Sequence, residues 1–448
     1  MAEGKSRATA STGTLLLSDF VLARDGVHAS WGVRLVGDRI DKVGPARELL
    51  KQYPSDAVWD ASGKAIVPGL VNTHMHLYGL LSHGIPMSGA PSDFWAFLKE
   101  FWWPRIEDRL DHALIQASTA WACLEMLKSG ITTFCDVLEA PHALPGALEA
   151  EAEVVRRFGL RALLCFEATE RVSQANGQLG LVENANFIDA CQKRHDLIGG
   201  LMCIHTTFTC SAPFIQQADA LARARGALHH MHLSESKYEG DYCRQHFGEG
   251  PVARYQRLGI LGPHILASQC VQVDQLERRI LAEHGVRVSS MPLSNCEVGG
   301  GFAPVPEYLE LGMTVSLGTD GYVNNFFEVM RGAFLMHKAR LESPQVLPAK
   351  VVWHLATRGG ALALGLEHTG EIAPGRSADL VLMDLDLPTP LTEGNLLDQL
   401  LLFRNPGNVD AVLVAGRPLM KHKQLLIDVD PEAIRARAHE ATRRLWGV

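Results

Sequence analysis

The stretch IVPGLVNTHMHLYG, from Ile66 to Gly79, decides the fold because it joins a short apolar strand to two histidines. In an extended strand, side chains two residues apart point to the same face. His74 and His76 are therefore expected to project together, while Met75 turns to the other side. Two imidazoles on one face can bind one metal ion, although an exposed polar strand end would carry the same short motif.

The composition is that of an ordinary globular protein without an excess of positive charge. The chain has 448 residues, 47% of them hydrophobic and 21% charged, and a formal net charge of −8. This charge predicts no nucleic-acid partner, and the absence of a polybasic or long apolar run predicts no membrane association. The polar N-terminus and nine cysteines without a C-x-x-C pair predict a reduced, cytoplasmic protein.

The middle of the chain alternates between helix-like and strand-like stretches. Compact apolar runs such as ITTFCDV, LRALLCFE and TVSLGTD follow amphipathic segments, in about eight units. This alternation predicts a parallel α/β sheet, either a (β/α)8 barrel or a doubly wound open sheet. Short strand-like runs at both termini predict one small β domain built from the two ends. We predict domain segments 1–67, 68–370 and 371–448, the last ending in a helix.

Polar residues fall where the predicted strands end. His74 and His76 end the first strand, His205 the fourth and Asp320 the eighth, while the fifth carries His232 and then Glu235. Strand ends of a barrel converge on one pocket, so these groups are expected to meet. Three imidazoles and one carboxylate suit a divalent cation, and a further carboxylate is needed to move protons. Taken singly, each has a plain structural alternative, and His230 is predicted only to pack one layer deeper.

Four motifs in order, PGLVNTHMHL, HLSES, MPLSN and LGTDG, resemble the amidohydrolase superfamily, and GEIAPGRSADLVLMDLD is similar to its C-terminal return. The resemblance spans about residues 14–430. It is strongest to the cytosine deaminase-like branch, which includes the methylthioadenosine/adenosylhomocysteine deaminases, the triazine hydrolases and the SsnA-type aminohydrolases. It implies a TIM-like (β/α)8 barrel with a composite β-sandwich domain formed from both termini.

The resemblance also implies a ligand set and residue roles. One Zn²⁺, or alternatively Fe²⁺, would be bound by His74, His76, His232 and Asp320. Glu235 would shuttle protons, Asp320 would also help deprotonate water, and His205 would contact substrate. Binuclear relatives bridge two metals with a carboxylated lysine at the end of strand four, where GGLMCIHTTF has no lysine. A single metal is therefore expected.

One position departs from the family pattern. Family deaminases end strand six with a histidine in a phrase such as AHCVH, whereas this chain has ASQCVQV, with Gln269 at that place. Glutamine donates a hydrogen bond but does not change charge near neutral pH. Either Gln269 contacts substrate through a hydrogen bond in place of the imidazole, or the reaction differs from standard deamination.

Two loops are expected to form pocket walls. The aromatic-rich segment after strand one includes Trp103, which could stack on a planar ring or simply pack in the loop. The segment NCEVGGGFAP after strand seven has three consecutive glycines, which allow the backbone to approach a ligand. Asn295 and Phe302 from this region are predicted substrate contacts.

The sequence therefore predicts a metal-dependent hydrolase that deaminates an amino-substituted heteroaromatic ring, such as a purine or pteridine. The alternatives are hydrolysis of a C–Cl bond, hydrolysis of an amide, urea or carbamate C–N bond, an SsnA-type activity of undefined substrate, or a non-catalytic barrel. The expected partner is a small-molecule substrate, and the expected assembly is a homo-oligomer, a dimer or higher.

Overall fold

The computed structural model describes residues 12–87, 89–321 and 325–448. The first residues of the predicted segment 1–67, and most of the polar N-terminus considered above, lie outside the described residues. The chain begins with five strands and one helix: β1 (Thr14–Ala23), β2 (Gly26–Ala29), β3 (Trp31–Val36), β4 (Arg39–Pro45), α1 (Ala46–Gln52) and β5 (Ala57–Pro68).

Parallel strands follow in the middle of the chain. They are β6 (Leu70–Met75), β7 (Ile131–Leu138), β8 (Arg161–Phe166), β9 (Ile198–Gly200), β10 (Met202–Ile204), β11 (His229–Leu233), β12 (Ile265–Gln269), β13 (Arg287–Ser290) and β14 (Val315–Leu317). Most of their residues are buried, and all eight residues of β7 are, as expected when helices cover one face of a parallel sheet.

Helices lie between and after these strands. They are α2 (Phe94–Ala96), α3 (Trp103–Arg105), α4 (His112–Lys128), α5 (Ala147–Phe158), α6 (Gln174–Arg194), α7 (Ala212–Ala224), α8 (Lys237–Phe247), α9 (Pro251–Arg257), α10 (Gln275–Glu283), α11 (Pro292–Glu297), α12 (Val305–Glu310), α13 (Phe326–Arg340), α14 (Ala349–His354) and α15 (Gly360–Ala363). Leu77–Ser82 and Glu107–Arg109 are 3₁₀ turns, and Phe97–Trp102 and Leu355–Gly359 are π-helical.

The C-terminal part returns to the first sheet. It contains β15 (Leu380–Asp384), α16 (Leu396–Phe403), the 3₁₀ turn Pro406–Asn408, β16 (Val409–Val414), β17 (Arg417–Lys421), β18 (Gln424–Leu425) and α17 (Pro431–Trp446). Strand β15 pairs antiparallel with β5, so the sheet runs β18-β17-β16-β15-β5-β1-β3-β4, with β2 on β1. Both ends of the chain thus build one sheet, as predicted.

The middle strands form two parallel sheets that meet at both edges. One has the order β6-β7-β8-β9 and the other β10-β11-β12-β13-β14. Parallel bridges between Ala168 and Ile204 and between Met75 and Asp320 join them, so the strands follow one another around a ring. Leu201 separates β9 from β10, which together supply the fourth of eight strands. The barrel alternative is therefore the right one; the exact domain boundaries stay a prediction.

The buried side chains among the barrel strands are partly apolar and partly polar, and the polar ones include the hydrogen-bonded hydroxyls of Thr73, Ser289 and Ser316. A buried cluster that includes Val71, Cys135, Cys165, Cys203 and Leu266 lies among the barrel strands. Polar side chains appear at the carboxyl ends of the strands, which is where barrel enzymes carry their sites. Within the described ranges, none of the helices has both the length and the apolar character that crossing a membrane requires.

Candidate metal centre and active site

His74 and His76 end β6 on one face, as the strand period requires. Both are buried, and their ring centroids lie 4.9 Å apart with the rings nearly perpendicular. The loop after β14 is fixed against this strand, because the backbone N–H groups of Thr319 and Asp320 donate to the carbonyl oxygen of His74. First and eighth strands therefore present their polar ends together.

His232 of β11 completes a group of three imidazoles. Its ring centroid is 4.9 Å from that of His74 and 5.5 Å from that of His76. One ring nitrogen from each histidine lies within 4.8 Å of the other two, close enough for a single cation to bind all three. The structure thus brings together His76 of the first barrel strand and His232 of the fifth, which are 156 positions apart in the sequence; metal binding by these residues stays a prediction.

Asp320 adds a carboxylate to the three imidazoles. Its Oδ1 lies 3.5 Å from His76 Nε2 and 4.0 Å from His74 Nε2. Asp320 has a φ of 61°, in the left-handed region that is uncommon for a residue with a side chain. Such outliers concentrate at functional sites, where the surrounding structure holds them in place.

The hydrogen bonds of the imidazoles fit a bound divalent cation. His76 Nδ1 donates to the carbonyl oxygen of Val137 at 2.7 Å, which leaves the lone pair on Nε2 facing Asp320. His74 Nδ1 is 3.1 Å from His230 Nε2, and His74 Nε2 is buried without a hydrogen-bond partner among residues 12–87, 89–321 and 325–448. Three nitrogens and one carboxylate oxygen are ligands that Zn²⁺ accepts.

His230 does more than fill the layer below the site. Besides its contact with His74, its Nδ1 lies 3.6 Å from the thiol of Cys203. The prediction that His230 packs one layer deeper holds for its position. The structure adds that this deeper ring hydrogen-bonds a candidate ligand.

Gln269 turns toward Asp320. Its amide nitrogen donates to Asp320 Oδ2 at 2.7 Å, and the hydroxyl of Ser294 donates to the same oxygen at 2.9 Å. Gln269 has a φ of 72°, so the strand ends in a left-handed turn. The two bonds occupy Oδ2, whereas Oδ1 lies on the side of His76 and accepts from the backbone N–H of Gly321 at 2.8 Å.

A cavity opens above these groups, with an empty volume of about 440 Å³. Its lining includes four carboxylates, those of Glu107, Glu167, Glu235 and Asp320. The aromatic side chains in the lining are those of Phe94, Phe97, Trp102 and Trp103. Glu235 shares this cavity with His232 and Asp320, as the sequence predicted for a proton shuttle. Burial raises the pKa of Glu235 to about 8, and the charge of Asp320 adds to the rise.

The predicted substrate contacts fall into two groups. His205 and Trp103 line the cavity, with ring centroids 6.1 Å apart. Gln269, Asn295 and Phe302 are not in the lining formed by the described residues: Gln269 is bonded to Asp320, Asn295 is buried, and Phe302 is 43% exposed. Substrate contact by these last three remains a prediction that the cavity does not support.

Glu167 is the chief residue that the sequence interpretation missed. It follows β8 directly, it is buried, and its Oε1 lies between the rings of His205 and His232. Burial would raise its pKa, but these two imidazoles outweigh burial and hold the pKa well below its usual range. Burial lowers the pKa of His232, yet the carboxylate of Glu167 outweighs this and raises that pKa to about 9. The sequence run LRALLCFE could have identified Glu167 as a candidate site residue, because Glu167 ends a predicted strand.

A second unpredicted group holds the cavity wall. Arg171 forms ion pairs with Glu107, Asp108 and Glu139, and its guanidinium carbon lies 5.0 Å from the centre of the Trp103 ring. Burial raises the pKa of Glu139 to about 7, against the attraction of Arg171. Glu107 also accepts a hydrogen bond from Tyr78 at 2.8 Å, so this carboxylate is fixed at the cavity edge.

Three imidazoles, an aspartate and a buried glutamate, gathered beside one cavity at the strand ends of a parallel barrel, are the groups of a metal-dependent hydrolase. Residues 65–419 match the model of the amidohydrolase family, and this chain belongs to that family.

Relatives cover nearly the whole chain. A 5-methylthioadenosine/S-adenosylhomocysteine deaminase from Pelotomaculum thermopropionicum is 32% identical over 427 residues, covering 94% of this chain and 95% of the relative. A 5'-deoxyadenosine deaminase from Methanothermobacter thermautotrophicus is 32% identical over 412 residues, covering 91% and 93%. The predicted family, fold class and hydrolase class are confirmed.

Solved structures agree with this assignment. An adenosine deaminase from Xanthomonas campestris with bound zinc has a TM-score of 0.88 at 25% identity, covering 98% of this chain and 99% of that one. The atrazine chlorohydrolase TrzN from Arthrobacter aurescens, complexed with zinc, has a TM-score of 0.82 at 20% identity, covering 96% and 100%. The second likeness establishes the fold alone.

Proposed function

We propose that this chain hydrolytically deaminates the 6-aminopurine ring of an adenine nucleoside, using one divalent cation, Zn²⁺, bound by His74, His76, His232 and Asp320. The observation that carries the proposal is that these four side chains converge beside one cavity, which His76, His232, Asp320 and Glu235 line. The ring is chosen because the relatives described above are named as deaminases of adenosine derivatives.

The chemistry divides between two carboxylates. A divalent cation at this position supplies the Lewis acidity that makes water nucleophilic near neutral pH. Deamination also requires a proton to leave the attacking water and a proton to reach the departing ammonia. Asp320 accepts the first, and Gln269 and Ser294 hold its carboxylate in place through Oδ2. Glu235, which lines the same cavity, delivers the second.

The cavity walls suit a flat ring that carries a sugar. The aromatic faces of Trp103 and Phe97 offer stacking surface for a purine. The fixed carboxylate of Glu107 offers two acceptor oxygens to neighbouring ribose hydroxyls, and His205 is placed to contact the ring. These residues orient the substrate and leave the proton transfers to Glu235 and Asp320.

A second hollow continues from the cavity and suits a substituent on the sugar. It shares Phe97 and Val298 with the cavity and has an empty volume of about 1300 Å³. Its charged lining residues are Asp93 and Glu297, and no lysine or arginine lies among the described residues that line it. The homocysteine part of S-adenosylhomocysteine carries an ammonium group, which these carboxylates attract, and also a carboxylate, which would meet only like charges and no cationic partner among the described lining residues. We therefore expect 5'-deoxyadenosine and 5'-methylthioadenosine to be preferred over S-adenosylhomocysteine.

The test is a panel of candidate substrates with ammonia release as the measurement. The metal-loaded enzyme should release ammonia from 5'-deoxyadenosine and 5'-methylthioadenosine, and Glu235→Gln should not. Ammonia release from guanine or an aminopteridine, with none from adenosine derivatives, would overturn the choice of ring. Equal kcat/KM for S-adenosylhomocysteine would overturn only the account of the second hollow.

The arrangement of Gln269 favours one alternative, hydrolysis of a C–Cl or amide-type C–N bond. No strand-six imidazole faces the reacting centre among the described residues, because Gln269 stands there and is bonded to Asp320. Chloride release from a chlorotriazine, without ammonia release from any nucleoside, would establish this alternative. Gln269→His then tests the role of the departure: an unchanged deaminase rate would mean that the glutamine does not limit deamination.

We also propose a cytoplasmic, homo-oligomeric enzyme that acts on a small molecule. The nine cysteines are free, eight of them buried, as expected for reduced thiols that pack as small apolar side chains. Light scattering of the purified protein tests the oligomeric state, and a monomer at working concentration would exclude this part of the proposal.

A further inference from the structure

Glu167 is a buried carboxylate for which neither metal binding nor proton transfer has yet given a role. It follows the last residue of β8, the third barrel strand, and only 2% of its surface is exposed. It also lines the cavity. A buried carboxylate is costly unless charged or hydrogen-bonding partners surround it, so its neighbours should show what it does.

The neighbours of Glu167 are the imidazoles of His232, a candidate metal ligand, and His205, which lines the cavity. Glu167 Oε1 lies 3.4 Å from His232 Nδ1 and 3.6 Å from His205 Nε2. The nearby guanidinium of Arg171 is engaged by Glu107, Asp108 and Glu139. His205 is further anchored at its other nitrogen, since Nδ1 is 2.9 Å from the hydroxyl of Thr209.

We propose that Glu167 is a positioning residue that orients both the metal ligand His232 and the substrate-facing His205. Glu167 Oε1 and His232 Nδ1 are both buried without a hydrogen-bond partner among the described residues, and a carboxylate can only accept, so a proton on Nδ1 that faces Glu167 would satisfy both atoms. That tautomer leaves the other ring nitrogen of His232 with a lone pair for the cation. The same oxygen lies 3.6 Å from His205 Nε2, beyond hydrogen-bond distance, so it attracts the N–H of that ring without a direct hydrogen bond.

The physical effect on the metal is twofold. A carboxylate beside the far nitrogen makes an imidazole a better donor and fixes its ring orientation before the cation arrives. The Glu167 carboxylate also adds a negative charge near the cation, whose ligands would otherwise be three neutral imidazoles and one aspartate. This inference rests on the proposed cation site, and it is independent of which substrate is turned over.

The same three residues have a competing interpretation. One donor atom from each of Glu167, His205 and His232 lies within 4.8 Å of the other two, so they satisfy the distances of a metal site themselves. A second cation there would have to share His232 with the first. The orienting role predicts one metal per chain, whereas a second site predicts two.

The first measurement is metal stoichiometry and Zn²⁺ affinity, obtained by competition with a chromophoric chelator on metal-free protein. Wild type should bind one Zn²⁺ per chain, and Glu167→Gln should weaken binding roughly 10- to 100-fold, as removal of such partners does elsewhere. Glu139→Gln is the matched control: Glu139 is equally buried and follows the neighbouring strand β7, but its partner is Arg171. Its Zn²⁺ affinity should stay at the wild-type value.

The outcomes separate the claims. Two zinc ions per wild-type chain, or an unchanged affinity in Glu167→Gln, would overturn the orienting role. No zinc in the wild type would instead overturn the proposed function. Equal losses in Glu167→Gln and Glu139→Gln would show a general effect of removing buried charge, and this too would refute the inference.

A second measurement does not depend on the variant folding. In zinc-loaded wild type with ¹⁵N-labelled histidine, the Nδ1 of His232 should carry a proton that exchanges slowly and resonates far downfield, as expected beside a carboxylate. The signal should persist in Glu139→Gln. An unprotonated Nδ1 on His232 in the wild type would refute the proposal directly.

Discussion

Replacing Gln269 with methionine removes one hydrogen bond from Asp320 and keeps the length of the side chain. In the native structure, the Gln269 amide and the Ser294 hydroxyl both donate to Asp320 Oδ2. Methionine cannot donate, so Asp320 would keep only Ser294 on that oxygen and would gain rotational freedom. The cation would then have to order this side chain when it binds.

The magnitude follows from that ordering. Because the Gln269 bond exists before metal binds, its full energy does not enter the affinity, and only the lost pre-organisation does. Immobilising one side chain costs about 0.5–1.5 kcal/mol, which corresponds to a rise in the Zn²⁺ Kd of roughly 2- to 13-fold.

Folding stability should respond differently. The Oε1 of Gln269 is buried with no hydrogen-bond partner in the parts of the chain that the structure describes. Losing a bond to a charged group costs about 1.5–3 kcal/mol, while removing an unpaired buried carbonyl recovers about 1–3 kcal/mol. The free energy of unfolding of the metal-free variant should therefore stay close to that of wild type.

The assay is chelator competition for Zn²⁺, alongside urea unfolding of the metal-free protein. Gln272→Met is the matched control, because Gln272 lies three residues after Gln269 and donates to the carbonyl oxygen of Gly300 rather than to Asp320. If Gln269→Met binds Zn²⁺ as tightly as Gln272→Met does, Gln269 does not hold Asp320 in place for the metal. A large loss of stability with unchanged affinity would make Gln269 a purely structural residue.

Three further results are expected. Glu235→Gln should keep its metal and lose turnover by roughly 10²- to 10⁴-fold, as for a lost acid–base group; intact turnover would remove Glu235 from the mechanism. His232→Ala should lose stoichiometric Zn²⁺ in elemental analysis, and a retained ion would take His232 out of the ligand set. Burial raises the pKa of Asp136 to about 7 and that of its buried neighbour Glu151 well above its usual range. A carboxyl group whose pKa is raised by folding contributes its full stabilisation below its pKa in the unfolded chain, near 4, and this contribution is lost as the pH rises through 7. The free energy of unfolding of metal-free wild type should therefore fall by on the order of 1–3 kcal/mol between pH 5 and pH 8. Glu151→Gln should flatten this dependence in urea unfolding, and an unchanged slope would show that the pair is not its source.

The strand-end rule accounts for what the sequence could predict. His74, His76, His205, His232 and Asp320 each end a compact apolar run, and in a barrel such ends must share one rim. No property of the local sequence has to specify their mutual distance, because the closed ring of strands imposes it.

The sequence does not show which side chains contact one another in the fold. Gln269 was expected to face substrate, but the left-handed backbone at this residue directs its amide to Asp320, 51 residues later. Glu167 ended a predicted strand, yet only the fold shows that its oxygen lies between two imidazoles. Phe302 follows Gly301, whose φ of 111° suits glycine, and the direction of that turn leaves the ring exposed.

Metal content measured together with ammonia release tests the central claim most directly. The enzyme should be purified without added metal, stripped with a chelator, and titrated with Zn²⁺ while ammonia release from 5'-deoxyadenosine is followed. The account predicts that activity disappears on stripping and returns in proportion to bound metal, reaching its maximum at one ion per chain. Full activity in protein that holds no transition metal would contradict it.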